Sequence, residues 1–473
     1  MNELEALLNE PNHNHEKIDE LWHTACSEAT DAIVVLDDDP TGTQTVHGVP
    51  VYTSWDEATL EEALNSGNRE FFILTNSRSF SAQKTESVHR EIADNIADAV
   101  QKAEKSFVLI SRGDSTLRGH YPLEDEVLRT TLEKKLGCTF DGEIICPAFF
   151  EGGRYTYNDT HYMRCNGSFV PVGESEFAHD ATFGYKSSNL IDYVEEKSGG
   201  AYTKAECISV SLDELRGFDL DGITAKLESC TGFKKIIVNS LNYDDLKTFA
   251  ICFLRARSHG KSFICRTAAS FPKCLAGIDD IDFLGRGEIE DVASHNGGLV
   301  LVGSHVQLST NQLERLHEAS LPLAFCEFDI SKADDDGSYR SEAARVTDYV
   351  AANIEAGTTA VVYTSRSDFS AQEADPERKL AKSVSISEGL TSVVSHLKTR
   401  PRYLIAKGGI TSSDIATKGL NIRRAEVLGQ AAKGIPVWKC GNESRFPGMS
   451  YLIFPGNVGT PDTLKSIVEE LER

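Results

Sequence analysis

Residues able to do chemistry stand directly behind the short apolar runs of this 473-residue chain. The run AIVVL ends in Asp37, Asp38 and Asp39, with Thr41 two residues on; LTNSRS carries Asn76 and Arg78. ISRGDSTLRG carries Arg112, Gly113, Asp114, Ser115 and Arg118, and CPAFFEGGRYT carries Arg154. Three adjacent carboxylates repel one another and are poor strand formers, so folding alone does not ask for them. Arginine forks pair bidentately with carboxylates, while aspartates accept from hydroxyls and can take a proton. Together these types suit a small, polyhydroxylated, negatively charged ligand. Any one of these loops also has a plain structural reading, because Asp, Ser, Asn and Gly cap helices and turn chains. The functional reading therefore rests on several loops at once, of which ISRGDSTLRG is the strongest: two arginines around Asp-Ser-Thr exceed what a cap needs.

The second half has a different character. Its apolar runs end in glycine and small hydroxyl residues, in VGSHVQLST, AKGGITSSDIATKG and FPGNVGTPD. Glycines between a strand and a helix let backbone N–H groups approach phosphates, which gives the pattern of a nucleotide-phosphate cradle. Neither GxxxxGK[ST] nor GxGxxG occurs, and KGGITSS by itself is equally well a turn followed by a cap.

The elements that must position these residues follow from periodicity. Short β-branched runs alternate with longer amphipathic segments, such as the helical SAQKTESVHREIADNIADAVQKA and YDDLKTFAICFLRARS. This is the βαβ pattern of an α/β protein with mostly parallel sheets flanked by helices, where ligands bind beyond the carboxyl ends of the strands. Length predicts two or three domains, and the polar stretch Gly285 to Gly298 is the expected joint. Residues 1–30 read as an amphipathic helical extension whose His13 and His15 fit a solvated tail better than a metal site, and the residues that would hold a metal are unknown from the sequence. With 48 basic and 72 acidic residues the net charge is −24, which disfavours nucleic-acid or anionic-membrane partners. An anionic substrate then has to be captured by local donors. No signal-peptide pattern or membrane-length apolar run is present, and the eleven scattered cysteines suit reduced thiols, so the expected location is cytoplasmic.

Six motifs, in order, resemble the four-carbon acid sugar kinase family, ATP-dependent kinases acting on threonate, erythronate and 3-oxo-tetronate type acids. DDDPTGT is similar to that family's ADDLTGA, and SRGDSTLRG to its KIDSTLRG. PAFFEGGRYTYNDTHYM, GSHVQLSTNQL, KGGITSS and FPGNVGTPD match its later segments. The resemblance implies a sugar-acid domain over residues 31–285, a nucleotide domain over 298–473, and an active site in the cleft between them. It places the acid sugar on Asp38, Asp39, Arg78, Arg112, Gly113, Asp114 and Ser115, to which the local pattern adds Arg154. It places ATP on Ser304, Gly408, Gly409, Ile410, Thr411, Gly456 and Asn457, with Mg2+ as the accompanying ion. Arg112-Gly113 stands where the family has Lys-Ile, Pro40 where it has Leu, and Ile410 where an acidic residue is frequent. Asp37 falls on the family's alanine and reads as scaffold.

Asp38, Asp39 and Asp114 are the candidate catalytic bases on this resemblance. Two other readings remain open on the residues: a nicotinamide-dependent hydroxy-acid oxidoreductase, opposed by the missing GxGxxG, and a non-catalytic sugar-acid and nucleotide sensor. A homodimer is expected only on the general habit of soluble enzymes.

Overall fold

The structure, a computed structural model, describes residues 3–10, 13–165, 167–290, 294–366 and 376–473. Residues 291–293 of the expected joint lie outside the described residues. The chain forms two compact units: Met1–Gly42 with Ser54–Asp280, and Thr43–Thr53 with Ile281–Arg473.

Its strands begin with β1 (Ala32–Asp37), β2 (Val49–Tyr52), β3 (Glu70–Leu74), β4 (Phe107–Arg112) and β5 (Gly142–Cys146). The short antiparallel set β6 (Arg154–Tyr157), β7 (Thr160–Cys165) and β8 (Ser168–Pro171) comes next, followed by β9 (Cys207–Val210), β10 (Lys234–Val238) and β11 (Phe263–Thr267). The first unit's main sheet runs β3-β1-β4-β11-β5-β10-β9, all parallel. β1 is buried along its whole length, as its unbroken apolar run requires when both faces of a parallel sheet are covered. Because β1 lies between β3 and β4, the chain leaves it to one side and returns on the other. At such a reversal an open α/β sheet ordinarily takes its ligand beyond the carboxyl end of the strand, and Asp37 to Asp39 follow β1 there.

The N-terminal segment is part of this unit. On the helix His15–Glu28, Ile18, Trp22 and Cys26 are buried, and Trp22 Nε1 donates to Cys274 O at 2.7 Å. His15 is exposed, yet its Nδ1 lies 2.8 Å from Asp244 Oδ1.

The second unit contains β12 (Leu299–Val302), β13 (Ala324–Phe328), β14 (Ala360–Thr364), β15 (Leu404–Lys407), β16 (Arg424–Ala432), β17 (Ile435–Cys440) and β18 (Ser450–Phe454). Its order is β13-β14-β12-β15-β18-β17-β16-β2. The first five strands of that order are parallel, whereas β17, β16 and β2 are antiparallel. The sheet is mostly parallel, as expected; its antiparallel edge arises because only Lys433 and Gly434 join β16 to β17, too few residues for a crossover, and Gly434 takes the left-handed φ of 77° that a tight hairpin needs. β2 enters this sheet from far upstream, and Trp438 Nε1 donates to Thr43 Oγ1 at 2.9 Å. All eleven cysteines are free thiols, and among the described residues no helix is long and apolar enough to cross a membrane.

Glu70 opens β3 with both carboxylate oxygens buried and unpartnered among the described residues. Burial outweighs Arg69 and pushes it from 4.5 up to about 8. The folded chain therefore keeps a proton that the unfolded chain releases above pH 4.5. Its contribution to stability is fully present below that pH and lost as pH rises through about 8. Glu70→Gln is expected to gain stability relative to wild type progressively between pH 5 and pH 8, a trend that paired urea titrations measure. A pH-independent difference would contradict it.

Candidate active site

Three neighbouring strand ends of the first unit build an acidic cluster. Arg78, behind β3, grips Asp38 with two hydrogen bonds, Nε to Oδ2 at 3.0 Å and Nη2 to Oδ1 at 2.6 Å. Its Nη1 lies 3.4 Å from Asp39 Oδ2 and 3.9 Å from Asp114 Oδ1. Arg112, the last residue of β4, donates to Asp37 Oδ1 at 3.2 Å and stands 3.7 Å from Asp38 Oδ1. Asp114 accepts from Arg118 Nε at 2.8 Å and from the Thr116 hydroxyl. Four carboxylates thus face three guanidinium groups.

Their environments differ. Burial pushes Asp37 up to about 7 against the pull of Arg112. Asp37 packs where Gly42 lacks a side chain: a Cβ there would lie 1.9 Å from Asp37 Oδ2, so the Thr-Gly turn exists to admit this carboxylate. Asp38 is also raised by burial, despite Arg78 and Arg112. For Asp39, burial is outweighed by Arg78 and by the Thr41 hydroxyl and N–H, and the carboxyl is held below its ordinary range. Asp114 is held well below it by Arg78 and Arg118 in the same way. The cluster therefore sets two buried carboxylates of raised proton affinity, Asp37 and Asp38, beside two that stay ionised and partly exposed, Asp39 and Asp114.

The Gly113–Gly119 loop is fixed by groups that local sequence did not single out. His161 is fully buried, its Nε2 2.9 Å from Ser115 O and its Nδ1 2.9 Å from Thr156 Oγ1. Since a carbonyl only accepts, Nε2 carries the proton and Nδ1 accepts from the hydroxyl; burial holds the ring neutral by lowering it to about 4. Tyr185 and Tyr193 hydroxyls donate to Thr116 O at 2.6 Å and Leu117 O at 2.9 Å. Beneath the loop lies Arg266 of β11, which donates to Ser111 Oγ at 2.8 Å and Glu124 Oε2 at 2.6 Å. Gly119, at φ 134°, and Gly113 make room for it: a Cβ on either would come within 2.9 Å of Arg266 Nη2. Arg266 sits inside the strand reading SFICRT, where only a charged residue at the end of an apolar run signals it.

The structure brings Asp38, Asp39, Arg78, Arg112 and Asp114 together. Arg112, expected to grip the substrate carboxylate, is only 3% exposed because its guanidinium is engaged by Asp37 and Asp38. Ser115 and Gly113 are buried in the loop backbone. Arg154 opens β6, donates to Gly152 O, and keeps a buried Nε without a partner among the described residues; the charges of Asp114 and Arg118 both act on it.

In the second unit, the carboxyl ends of β14, β12, β15 and β18 lie side by side. Ser304 follows β12; its N–H donates to Lys407 O at 3.2 Å, and Gly408 N–H donates to Phe454 O at 2.9 Å. Thr411 is buried, and Ser309 Oγ donates to Gly456 O at 2.9 Å. Ser304, Gly408, Thr411 and Gly456 are thereby gathered at one edge, while Gly409, Ile410 and Asn457 are more open, Ile410 at 39% exposure. Two cations missed in the sequence stand with them: Lys407, whose Nζ donates to Pro455 O at 3.0 Å, and Arg366, which donates to Ser304 O.

Residues 33–275 match the family model described as a sugar-binding N-terminal domain, and residues 299–464 the one described as a nucleotide-binding C-terminal domain. The class is therefore a sugar-binding unit joined to a nucleotide-binding one. The chain belongs to the four-carbon acid sugar kinase family, also called DUF1537. Its fold is similar to that of a Salmonella typhimurium LT2 protein provisionally described as a tRNA synthase, with TM-score 0.65 and 16% identity over 93% of this chain and 99% of that one. A Haemophilus influenzae DUF1537 protein aligns with TM-score 0.61 and 16% identity over 93% of this chain and all of that one. No curated protein sequence matches the chain.

Proposed function

We propose that the protein is an ATP-dependent kinase that phosphorylates a hydroxyl of a four-carbon sugar acid of the threonate, erythronate or 3-oxo-tetronate type. The observation that carries this reading is the cluster at the carboxyl end of β1, where Asp38, Asp39 and Asp114 stand among guanidinium groups in a chain that also has a nucleotide-binding domain. Phosphoryl transfer asks a protein chiefly to align an alcohol and to manage charge and one proton. Of the two acids whose proton affinity burial raises, Asp38 is the fitting base, because Arg78 holds its orientation, whereas Asp37 is enclosed by Arg112 and the Gly42 turn. As the substrate oxygen attacks the γ-phosphorus, its proton passes to Asp38, the bond from phosphorus to the β–γ bridging oxygen breaks, and ADP leaves. Asp39 and Asp114, held ionised, accept hydrogen bonds from the remaining hydroxyls. Arg78 and Arg154 fit the substrate carboxylate, and Arg112 fixes the acids. Mg2+, held mainly by triphosphate oxygens and water, would supply charge neutralisation on the transferring group.

An ATP-consumption assay over a panel of tetronates tests the reading, with NAD reduction followed in parallel. Stoichiometric ADP and phosphorylated acid are expected from at least one member. ATP binding with no turnover on any of them would favour a sensor, and absorbance change with NAD an oxidoreductase.

A further inference from the structure

The edge formed by β14, β12, β15 and β18 holds two cations and, among the described residues, no carboxylate paired with either. Lys407 is fully buried, its ammonium resting on the carbonyls of Pro455 at 3.0 Å and Gly456 at 3.4 Å and over the Phe454 ring. Two acceptors leave one of its three N–H groups unused. Arg366, two residues beyond β14, donates through Nη1 to Ser304 O. Its Nε and Nη2 are buried with no partner among the described residues. Buried polar nitrogens are ordinarily satisfied, and buried charges are ordinarily paired, because an orphan keeps its full desolvation cost. Two neighbouring cations that also repel each other form an arrangement that an incoming anion would complete. Burial, and then the nearby Arg366, push Lys407 down to about 7, as expected where positive charge lacks a counter-ion.

We propose that Arg366, with Lys407 behind it, binds the terminal phosphates of a nucleoside triphosphate at this edge, an assignment that rests on the nucleotide reading of the unit. The planar fork of Arg366 keeps two unsatisfied donors in the geometry that matches phosphate oxygens, which an ammonium does not reproduce. Lys407 holds the Pro455–Gly456 turn and adds charge from below, while Ser304 is tied to Arg366 through its carbonyl.

Calorimetric titration of the full chain with ATP, AMP and inorganic tripolyphosphate tests this, on wild type, Arg366→Met and Arg366→Lys. Arg366→Met is expected to weaken ATP and tripolyphosphate roughly tenfold to a hundredfold, the usual cost of losing charge-assisted hydrogen bonds, with AMP changed less than about twofold. Arg366→Lys should fall between, and its value decides the matter if the Met variant does not fold. Unchanged ATP and tripolyphosphate affinity in either folded variant, or equal losses for ATP and AMP, would overturn the assignment. Wild-type protein that binds none of the three would instead overturn the nucleotide reading beneath it.

Discussion

Replacing Asp38 by asparagine is expected to lower kcat for phosphorylation of the four-carbon acid by about 10²–10⁴-fold, the range lost with a general base. Asparagine keeps the shape and can still accept from Arg78, but it cannot take the substrate proton. The fold should tolerate the change, because four carboxylates crowd three guanidinium groups and removing one negative charge balances the cluster. Asp39→Asn and Asp114→Asn should act more on KM, since both carboxylates are held ionised as hydrogen-bond acceptors rather than as bases. Steady-state kinetics on the three variants, with thermal melts to verify folding, separate these roles. A folded Asp38→Asn enzyme with kcat within a few-fold of wild type would remove Asp38 as the base.

Arg266→Met is expected to cost about 3–5 kcal/mol of stability, the usual penalty for removing one member of a buried ion pair. Arg266 lies 2.6 Å from Glu124 and 3.8 Å from Asp125, both almost fully buried, and both Asp125 oxygens are without a hydrogen-bond partner among the described residues. In the intact protein, burial of Glu124 is outweighed chiefly by Arg266 and His89, which hold it down at about 2. Its stabilising contribution is therefore present above pH 4.5 and lost as pH falls toward 2. In the variant that acid-side loss should shrink while stability near neutrality drops. Urea titrations at pH 3 and pH 7 read both effects; a change below about 1 kcal/mol at pH 7 would show that the pair is not what supports the loop.

The strands and long helices were legible because their signals are local. AIVVL, SFVLIS and SYLIFPGN are apolar runs of strand length, and SAQKTESVHREIADNIADAVQKA repeats its apolar positions at helical spacing. The candidate residues Asp38, Arg78, Arg112 and Asp114 were legible for a related reason: polar side chains crowded immediately after such runs must come out at a sheet's carboxyl edge. Arg266, His161 and Lys407 were not, since each lies within or beside an apolar strand and is explained only by a partner tens or hundreds of residues away.

By itself, then, the sequence determined an α/β chain with an acidic, arginine-rich set of strand ends in its first half and a glycine-rich set in its second. Tertiary structure alone decided that β1 lies between β3 and β4, which gathers Asp38, Arg78, Arg112 and Asp114 at one edge, and that Thr43–Thr53 joins the second unit, so that the DDDPTGT motif is divided after Gly42. It also decided which of the four carboxylates are raised in proton affinity and which are held ionised. Strand order and burial depend on pairings between distant segments, and the proton affinity of a carboxylate depends on the water it loses and the charges it meets. Neither is written in the residues next to it.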